Sequence, residues 1–406
     1  MNIDLGSEFD VVIDDVAFGG KGVTRIDSLV CFIPFTLPGE EVKIRITALK
    51  KTFMEAEVIE VIKPSEDRLE PPCEHFKDCG GCQYQHVKYE TQVEIKKGQL
   101  KQVLQRIGRF EELPEVSEVC PSPKEYNYRN RITLNPRKLE DRYVMYGYKD
   151  IKNERLIEIK SCPLASEEVN GLIPQLRRTS WGKKNLHRDK PKSATLRHSA
   201  EDEPIIYFGS PPKGMPWCKE RLGEGEFRVP LGSFYQVNPE VAVDLFNKVN
   251  EWVAELETPR VVDAFCGAGF LSVGIKGKHV IGIECDEASI KAAEYNAGQW
   301  GVQSFNYIAG DANKLLNKHL KNKGSQTVLI MDPPRKGCGE SSIKAIKNHK
   351  PAWILYVSCD PATLARDLSQ ICSDGDYSIS KLAMLDMFPQ TAHFETMVLL
   401  KGNSND

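Results

Sequence analysis

The sequence predicts an α/β protein with a doubly wound parallel sheet at its C-terminal end. A small β-barrel and a central mixed α+β region carrying a cysteine cluster come before it. Three observations lead there. Residues 8–62 hold four or five short apolar or alternating runs separated by turn residues, three cysteines bunch in CEHFKDCGGC, and from residue 260 short apolar runs alternate with helix-like patterns. At 406 residues, and about 100–200 residues per domain, the chain should form two to four domains with real cores.

Composition narrows the classes. With 41% hydrophobic and 27% charged residues the chain reads as an ordinary globular protein, and a net charge of −3 means that any nucleic-acid surface must be a local patch. The N-terminus, MNIDLGSEFD, lacks the basic flank and apolar core of a signal peptide, and no apolar run reaches the roughly 18 residues of a membrane span. A cytoplasmic location with no membrane partner is expected. Nothing demands an obligate protein partner. Twelve cysteines in so long a chain without an export signal point to metal or catalysis more than to disulfides.

In chain order, EFDVVIDD, SLVCFIPF, EEVKIRIT and MEAEVIEVI read as strands broken by FGGKG and LPGE, which suggests a closed barrel of the oligonucleotide-binding type over residues 1–62. Lys43, Arg45, Lys50 and Lys51 are candidates for an RNA-facing side, with a solvated face as the blander reading. KPSEDRLEPP is the linker. The segment KYETQVEIKKGQLKQVLQRIG has helical spacing at Val93, Leu100, Val103, Leu104 and Ile107, with a basic opposite face. YRNRITLNP, RYVMYGYKD and ERLIEIK return to strands, and residues 73–235 form a central mixed domain. The sheet of residues 236–406 is built from RVVDAF, HVIGIE, FNYIAG, TVLIMD, AWILYVS, SISKLAML and HFETMVLL.

Ligands of such sheets lie at the carboxyl ends of the strands. There the first strand runs into Asp263-Ala264-Phe265-Cys266-Gly267-Ala268-Gly269, whose glycines let the backbone turn and approach a ligand. The second ends in Glu284, the third in Gly310-Asp311-Ala312, and the fourth in Asp332-Pro333-Pro334-Arg335. Each acid alone is as readily a helix N-cap. Four in register repel phosphates, which argues against NAD and suits a ligand with a ribose, an adenine and a sulfonium: S-adenosylmethionine. DPPR taken alone resembles loops of enzymes that methylate amino nitrogens.

The fifth strand delivers Cys359, in ILYVSCDPATLARDL, and the last strand begins at His393 and Glu395. Carbon 5 of uracil is too weak a nucleophile to take a methyl group unaided. Addition of a thiolate at carbon 6 makes it an enolate, and a base must later remove the carbon 5 proton. A cysteine near the cofactor with a carboxylate or histidine opposite is what that chemistry needs. Free cysteine has a pKa near 8.5, so the site must favour the thiolate, with Arg366 or the following helix N-terminus as candidates. The spacing C-x5-C-x2-C at Cys73, Cys79 and Cys82, with a distant Cys162-Pro163, suits either zinc or an iron–sulfur cluster.

GSFYQVN, DAFCGAGF, GIECDE, DPPRKG, SCDPATLARD and HFET, with CEHFKDCGGC and SCPLA, resemble in order the RNA uracil-5-methyltransferase family. The likeness is to its iron–sulfur-containing branch, whose better-known members modify bacterial 23S ribosomal RNA. It covers nearly the whole chain, and the N-terminal barrel resembles the family's RNA-binding TRAM domain. The resemblance implies a Rossmann-like class I methyltransferase acting on RNA, rRNA more than tRNA. It implies Cys359 as nucleophile and Glu395 as the base that removes the carbon 5 proton. It places Gln236, Phe265, Glu284 and Asp332 against S-adenosylmethionine, Asp332 touching the target base as well, and Gly267, Gly269 and Asp311 of the strand-end set are candidate cofactor contacts beside them. Cys73, Cys79, Cys82 and Cys162 become ligands of a 4Fe–4S cluster. The family usually reads SCNPAT, and here Asp360 replaces the asparagine, a charge expected to oppose thiolate formation. Buried-core roles are expected for Cys31, Cys120, Cys266, Cys285, Cys338 and Cys372. RNA contacts are expected from Arg129 and Arg131 with Tyr126 and Tyr128, and from Lys96, Lys97, Lys101, Arg106 and Arg109 along one helix.

Overall fold

The computed structural model describes residues 3–139, 144–176, 178, 180–186, 190–211 and 217–403. At the N-terminal end six strands, Glu8–Val12, Asp15–Ala17, Lys21–Ile26, Leu29–Pro34, Glu41–Leu49 and Phe53–Lys63, form one sheet in the order first, fifth, sixth, fourth, third, second. The strand count exceeds the sequence reading because Gly19 and Gly20, at φ +102 and +85, fold Asp15–Ala17 back on Lys21–Ile26. Period-two alternation sends Val42, Ile44 and Ile46 inward to meet Ile13, Cys31, Ile33 and Met54. On the outer face Lys43 and Arg45 lie 3.5 and 2.9 Å from Glu8, and Arg45 lies 3.4 Å from Glu57. Two of the four candidate RNA cations are thus held in a solvated ion-pair network. The linker is anchored: Arg68 donates to buried Glu40 at 2.7 Å and to the Phe35 carbonyl at 2.9 Å.

The helix Tyr89–Arg106 buries Val93, Leu100, Val103 and Leu104, as its periodicity requires. They pack in one core with Val262, Leu329, Ile354 and Leu364 of the C-terminal sheet and its helices. Ile107 falls beyond the last helical turn and is 45% exposed. Further on, Glu118–Cys120 joins the C-terminal sheet, parallel to Tyr377–Leu385. Residues 73–235 therefore lend a helix and a strand to the body formed by residues 236–406. The rest of the central region includes an antiparallel five-stranded sheet, with Arg131–Lys138 and Val144–Lys149 among its strands, and a separate hairpin of Trp217–Leu222 and Gly225–Pro230. Arg142 and Tyr143, the start of the RYVMYGYKD run, lie outside the described residues.

Besides Glu118–Cys120, the C-terminal sheet contains seven strands in chain order: Arg260–Ala264, His279–Glu284, Phe305–Ala309, Thr327–Met331, Trp353–Ser358, Tyr377–Leu385 and Glu395–Gly402. Their spatial order is third, second, first, fourth, fifth, seventh, sixth. The first five run parallel and the seventh inserts antiparallel between fifth and sixth. The connection reverses direction between the first and fourth strands, and a crevice opens at their carboxyl ends. Among the described residues, no helix is long and apolar enough to cross a membrane.

Candidate active site

The crevice is shaped by backbone as much as by side chains. Phe265, Gly267 and Gly269 have φ of +67, +53 and +84. Gly269 is required by packing too, since a Cβ would lie 2.9 Å from Val273. A Cβ on Gly267 would meet nothing within 4 Å, so that glycine faces open space where a ligand can approach the main chain. Glu284 accepts from the Gly267 amide at 3.3 Å through Oε2 and from the Asp286 amide at 3.0 Å through Oε1. A cavity of about 50 Å³ is lined by Gln236, Asp263, Phe265, Gly267 and Asp332. Gln236 Oε1 and both oxygens of Asp263 are buried without a hydrogen-bond partner. Such orphaned acceptors are rare in folded proteins and mark where a donor is expected. Burial pushes Asp263 up to about 7, Asp332 and Glu284 add to it, and the Ser272 hydroxyl opposes. Asp311 stands apart: it is exposed and caps the helix Ala312–Leu320, accepting from the Asn313 amide at 3.0 Å.

The second half of the site is set by strand register. Ser358 pairs with Thr396, the last pair of the antiparallel ladder, so Cys359 and Glu395 are the next residues along their two strands, and Glu395 raises the pKa of the Cys359 thiol. Met331 pairs with Tyr356, which brings Asp332 alongside from the fourth strand. Glu395 is 3% exposed, and its Oε2 has no partner. Burial holds its pKa well above the usual carboxylate range, Asp332 adds to that and Arg335 opposes. Burial likewise pushes Asp332 up to about 7. The Cys359 thiol is pushed up to about 12 by burial first, then by Glu395 and Asp332, with Arg335 opposing and Asp360 the smallest contributor. These neighbours together disfavour the thiolate.

One expectation changes here. Arg366 does not serve the thiol: it donates to Asp367 at 2.7 Å and to the Lys336 carbonyl at 2.8 Å. The cation that faces Cys359 and Glu395 is Arg335 of DPPR, which sequence reasoning passed over because that motif drew attention to its prolines. Asp360, the departure from the family pattern, is occupied as N-cap of the helix Pro361–Ile371, accepting from the Thr363 amide at 2.9 Å. His393 is half-buried, held below its ordinary pKa by burial and then by Arg335, and set edge-on to Phe18 of the barrel at 6.4 Å.

Cys73, Cys79, Cys82 and Cys162 line one cavity of about 530 Å³ with Arg129, Tyr148 and Tyr235. Asn170 holds the Cys162 turn from both sides, accepting from its amide at 2.8 Å and donating to its carbonyl at 2.9 Å. Among the described residues, however, no three His, Cys, Asp or Glu are placed to hold one metal ion. A single zinc, with Zn–S of about 2.3 Å, requires sulfurs roughly 3.8 Å apart.

Comparison with known proteins settles the class. Residues 223–403 match the tRNA (uracil-5-)-methyltransferase family, and residues 4–59 match the TRAM domain. A protein of Thermosynechococcus vestitus, named only as an uncharacterised RNA methyltransferase, is 31% identical over 97% of this chain and 98% of its own. The tRNA (uracil(54)-C(5))-methyltransferase of Schizosaccharomyces pombe is 31% identical over 97% of this chain and 78% of its own. The crystal structure of Pyrococcus abyssi tRNA (uracil-54, C5)-methyltransferase with S-adenosyl-L-homocysteine has a TM-score of 0.72 at 27% identity, covering 97% of this chain and 100% of that one. The chain belongs to the RNA uracil-5-methyltransferase family. It is an S-adenosylmethionine-dependent RNA methyltransferase with an N-terminal TRAM domain.

Several residues expected on the RNA-facing surface of this methyltransferase are internal. Lys96 is fully buried and pairs with fully buried Asp386 at 2.7 Å. Tyr128 is 3% exposed, its hydroxyl donating to the Pro389 carbonyl at 3.1 Å, so its face is unavailable to a base. Arg131 donates to the Ser233 carbonyl at 2.8 Å and braces the loop that carries Gln236. Lys101, Arg106 and Arg109 remain exposed. Among cysteines assigned to the core, Cys31, Cys266 and Cys338 are buried, Cys120 and Cys372 half-buried, and Cys285 is exposed beside Glu284.

Proposed function

We propose that this methyltransferase modifies carbon 5 of one uridine in a structured RNA, with Cys359 as nucleophile and Glu395 as base. The position of Cys359 and Glu395 just past the Ser358–Thr396 pair on neighbouring strands, with Asp332 at the end of the next strand, is the observation that carries the reading. The bound S-adenosylmethionine supplies an electrophilic methyl group on a positive sulfur. Gln236, Phe265, Gly267, Gly269 and Glu284 line or shape the crevice that would receive it; Asp311, exposed at a helix cap, is the weakest member of the set. Asp332 lines the crevice and acts on both Cys359 and Glu395, which supports a role for it toward both cofactor and base.

The thiol of Cys359 gives its proton to solvent and its sulfur bonds to uracil carbon 6, leaving an enolate whose carbon 5 takes the methyl group as the sulfur–methyl bond of the donor breaks to leave a neutral thioether. Glu395 as carboxylate then removes the carbon 5 proton, the ring double bond re-forms, and the carbon–sulfur bond breaks to return the thiolate. Arg335 favours the anionic forms of both Cys359 and Glu395. A base inside a folded RNA must be flipped out to reach them.

Ribosomal RNA is the first candidate substrate, from the resemblance to the cluster-bearing branch. The second reading, a tRNA uridine, is favoured by the names of the fission-yeast and Pyrococcus relatives. Mapping 5-methyluridine in rRNA and tRNA with and without the protein separates them. RNA carrying 5-fluorouridine at the modified position should form a covalent adduct with the wild type and none with Cys359→Ala. Methylation retained by Cys359→Ala would favour a nitrogen-directed enzyme instead.

The four cysteines around the 530 Å³ cavity are assigned to a 4Fe–4S cluster. Methyl transfer needs no electron, so the group would serve as structural support or in positioning RNA. Protein purified without oxygen should contain iron and sulfide, and a colourless, iron-free product would overturn the assignment.

A further inference from the structure

We infer that Gln83, Gln92 and Gln390 brace the loop carrying Glu395 against the cysteine loop, so that proton removal depends on how the cysteines are held. This rests on the assignment of Glu395 as base. The loop of residues 386–394 leaves the sixth strand and enters the seventh at Glu395, and its midpoint, Gln390, sits at φ +68. A glutamine in that conformation is uncommon and persists only where the surroundings over-determine it.

They do so through six hydrogen bonds. The Gln390 amide donates to Gln92 Oε1 at 3.1 Å, and Gln92 Nε2 donates back to Gln390 Oε1 at 3.0 Å. Both side chains are almost completely buried. The Gln390 carbonyl accepts from the amides of Gln83 and Tyr84, each at 3.0 Å. Gln83 then spans the two loops: its Oε1 accepts from the Ala392 amide at 3.0 Å, and its Nε2 donates to the Gly80 carbonyl, inside CGGC, at 3.2 Å. Gln83 follows Cys82 directly, and Ala392 stands three residues before Glu395.

Among the described residues Cys359 has no such tether; it is placed by the fifth strand and the cap of the helix after it. Loosening the brace should therefore spare thiol addition and methyl transfer while slowing the last proton abstraction. Gln83, Gln92 and Gln390 are positioning residues, because none touches the reacting atoms.

The test is Gln83→Ala in the full-length protein, a half-buried position where truncation removes two hydrogen bonds and little packing. With ordinary substrate RNA, turnover should fall about tenfold to a hundredfold while covalent RNA adduct accumulates on denaturing gels. Trapping by 5-fluorouridine RNA, which stops before proton removal, should keep its wild-type rate. Cys82→Ser and Gln92→Met should give the same pattern. Turnover and trapping falling together, or wild-type turnover in Gln83→Ala, would overturn the brace. Failure of the wild type itself to trap would instead overturn the roles of Cys359 and Glu395.

Discussion

Replacement of Lys96 by methionine tests the largest departure between sequence reading and structure. The ammonium and the Asp386 carboxylate are both fully buried, 2.7 Å apart, and the ammonium also donates to the Phe388 carbonyl at 3.2 Å. At an effective dielectric near 20, two charges at that distance attract by about 6 kcal/mol, and desolvating both ions offsets most of it. Burial accordingly holds the lysine below its ordinary pKa, with Asp386 opposing. The intact pair contributes little net stability, but removing one partner strands the other and should cost about 3–5 kcal/mol. Urea unfolding followed by tryptophan fluorescence should show that loss for Lys96→Met. The double variant Lys96→Met, Asp386→Leu should recover at least half of it. A single variant that unfolds like the wild type, yet binds RNA with a log affinity–log salt slope reduced by about one, would place Lys96 on the RNA instead and refute the argument.

Glu395→Gln should lower turnover by about 10²–10⁴-fold while covalent adduct with ordinary RNA builds up, which gel analysis reads directly. Because the folded-state pKa of Cys359 is raised to about 12, its carboxamidomethylation in the free protein should accelerate about tenfold per pH unit from 7 to beyond 9, a plateau below pH 8 excluding the buried, acid-flanked thiol. Asp360→Asn keeps the helix cap and removes only the smallest influence on the thiol, so the same alkylation profile should move down by less than about one pH unit. A larger shift would show that the departure from the family's asparagine governs the site.

Local chemistry written in the chain fixes much of this protein. Period-two alternation in EEVKIRIT and apolar runs such as TVLIM specify strands, because burying one face or both is the only way to satisfy them. The positive-φ glycines of DAFCGAGF and the strand-end acids announce a ligand crevice before any contact is known. The four cysteines could be gathered from spacing and family likeness. What the chain could not reveal is any property set by distant partners. Lys96 reads as a surface cation until Asp386, 290 residues away, arrives to bury it. Tyr128 reads as a stacking platform until Pro389 covers it. Arg335 becomes the charge facing Cys359 only when the fourth and fifth strands align, and the glutamine brace exists only because the cysteine loop folds onto the chain's last turn. Charge burial, pKa and hydrogen-bond satisfaction belong to the three-dimensional neighbourhood, and that neighbourhood was decided by tertiary packing alone.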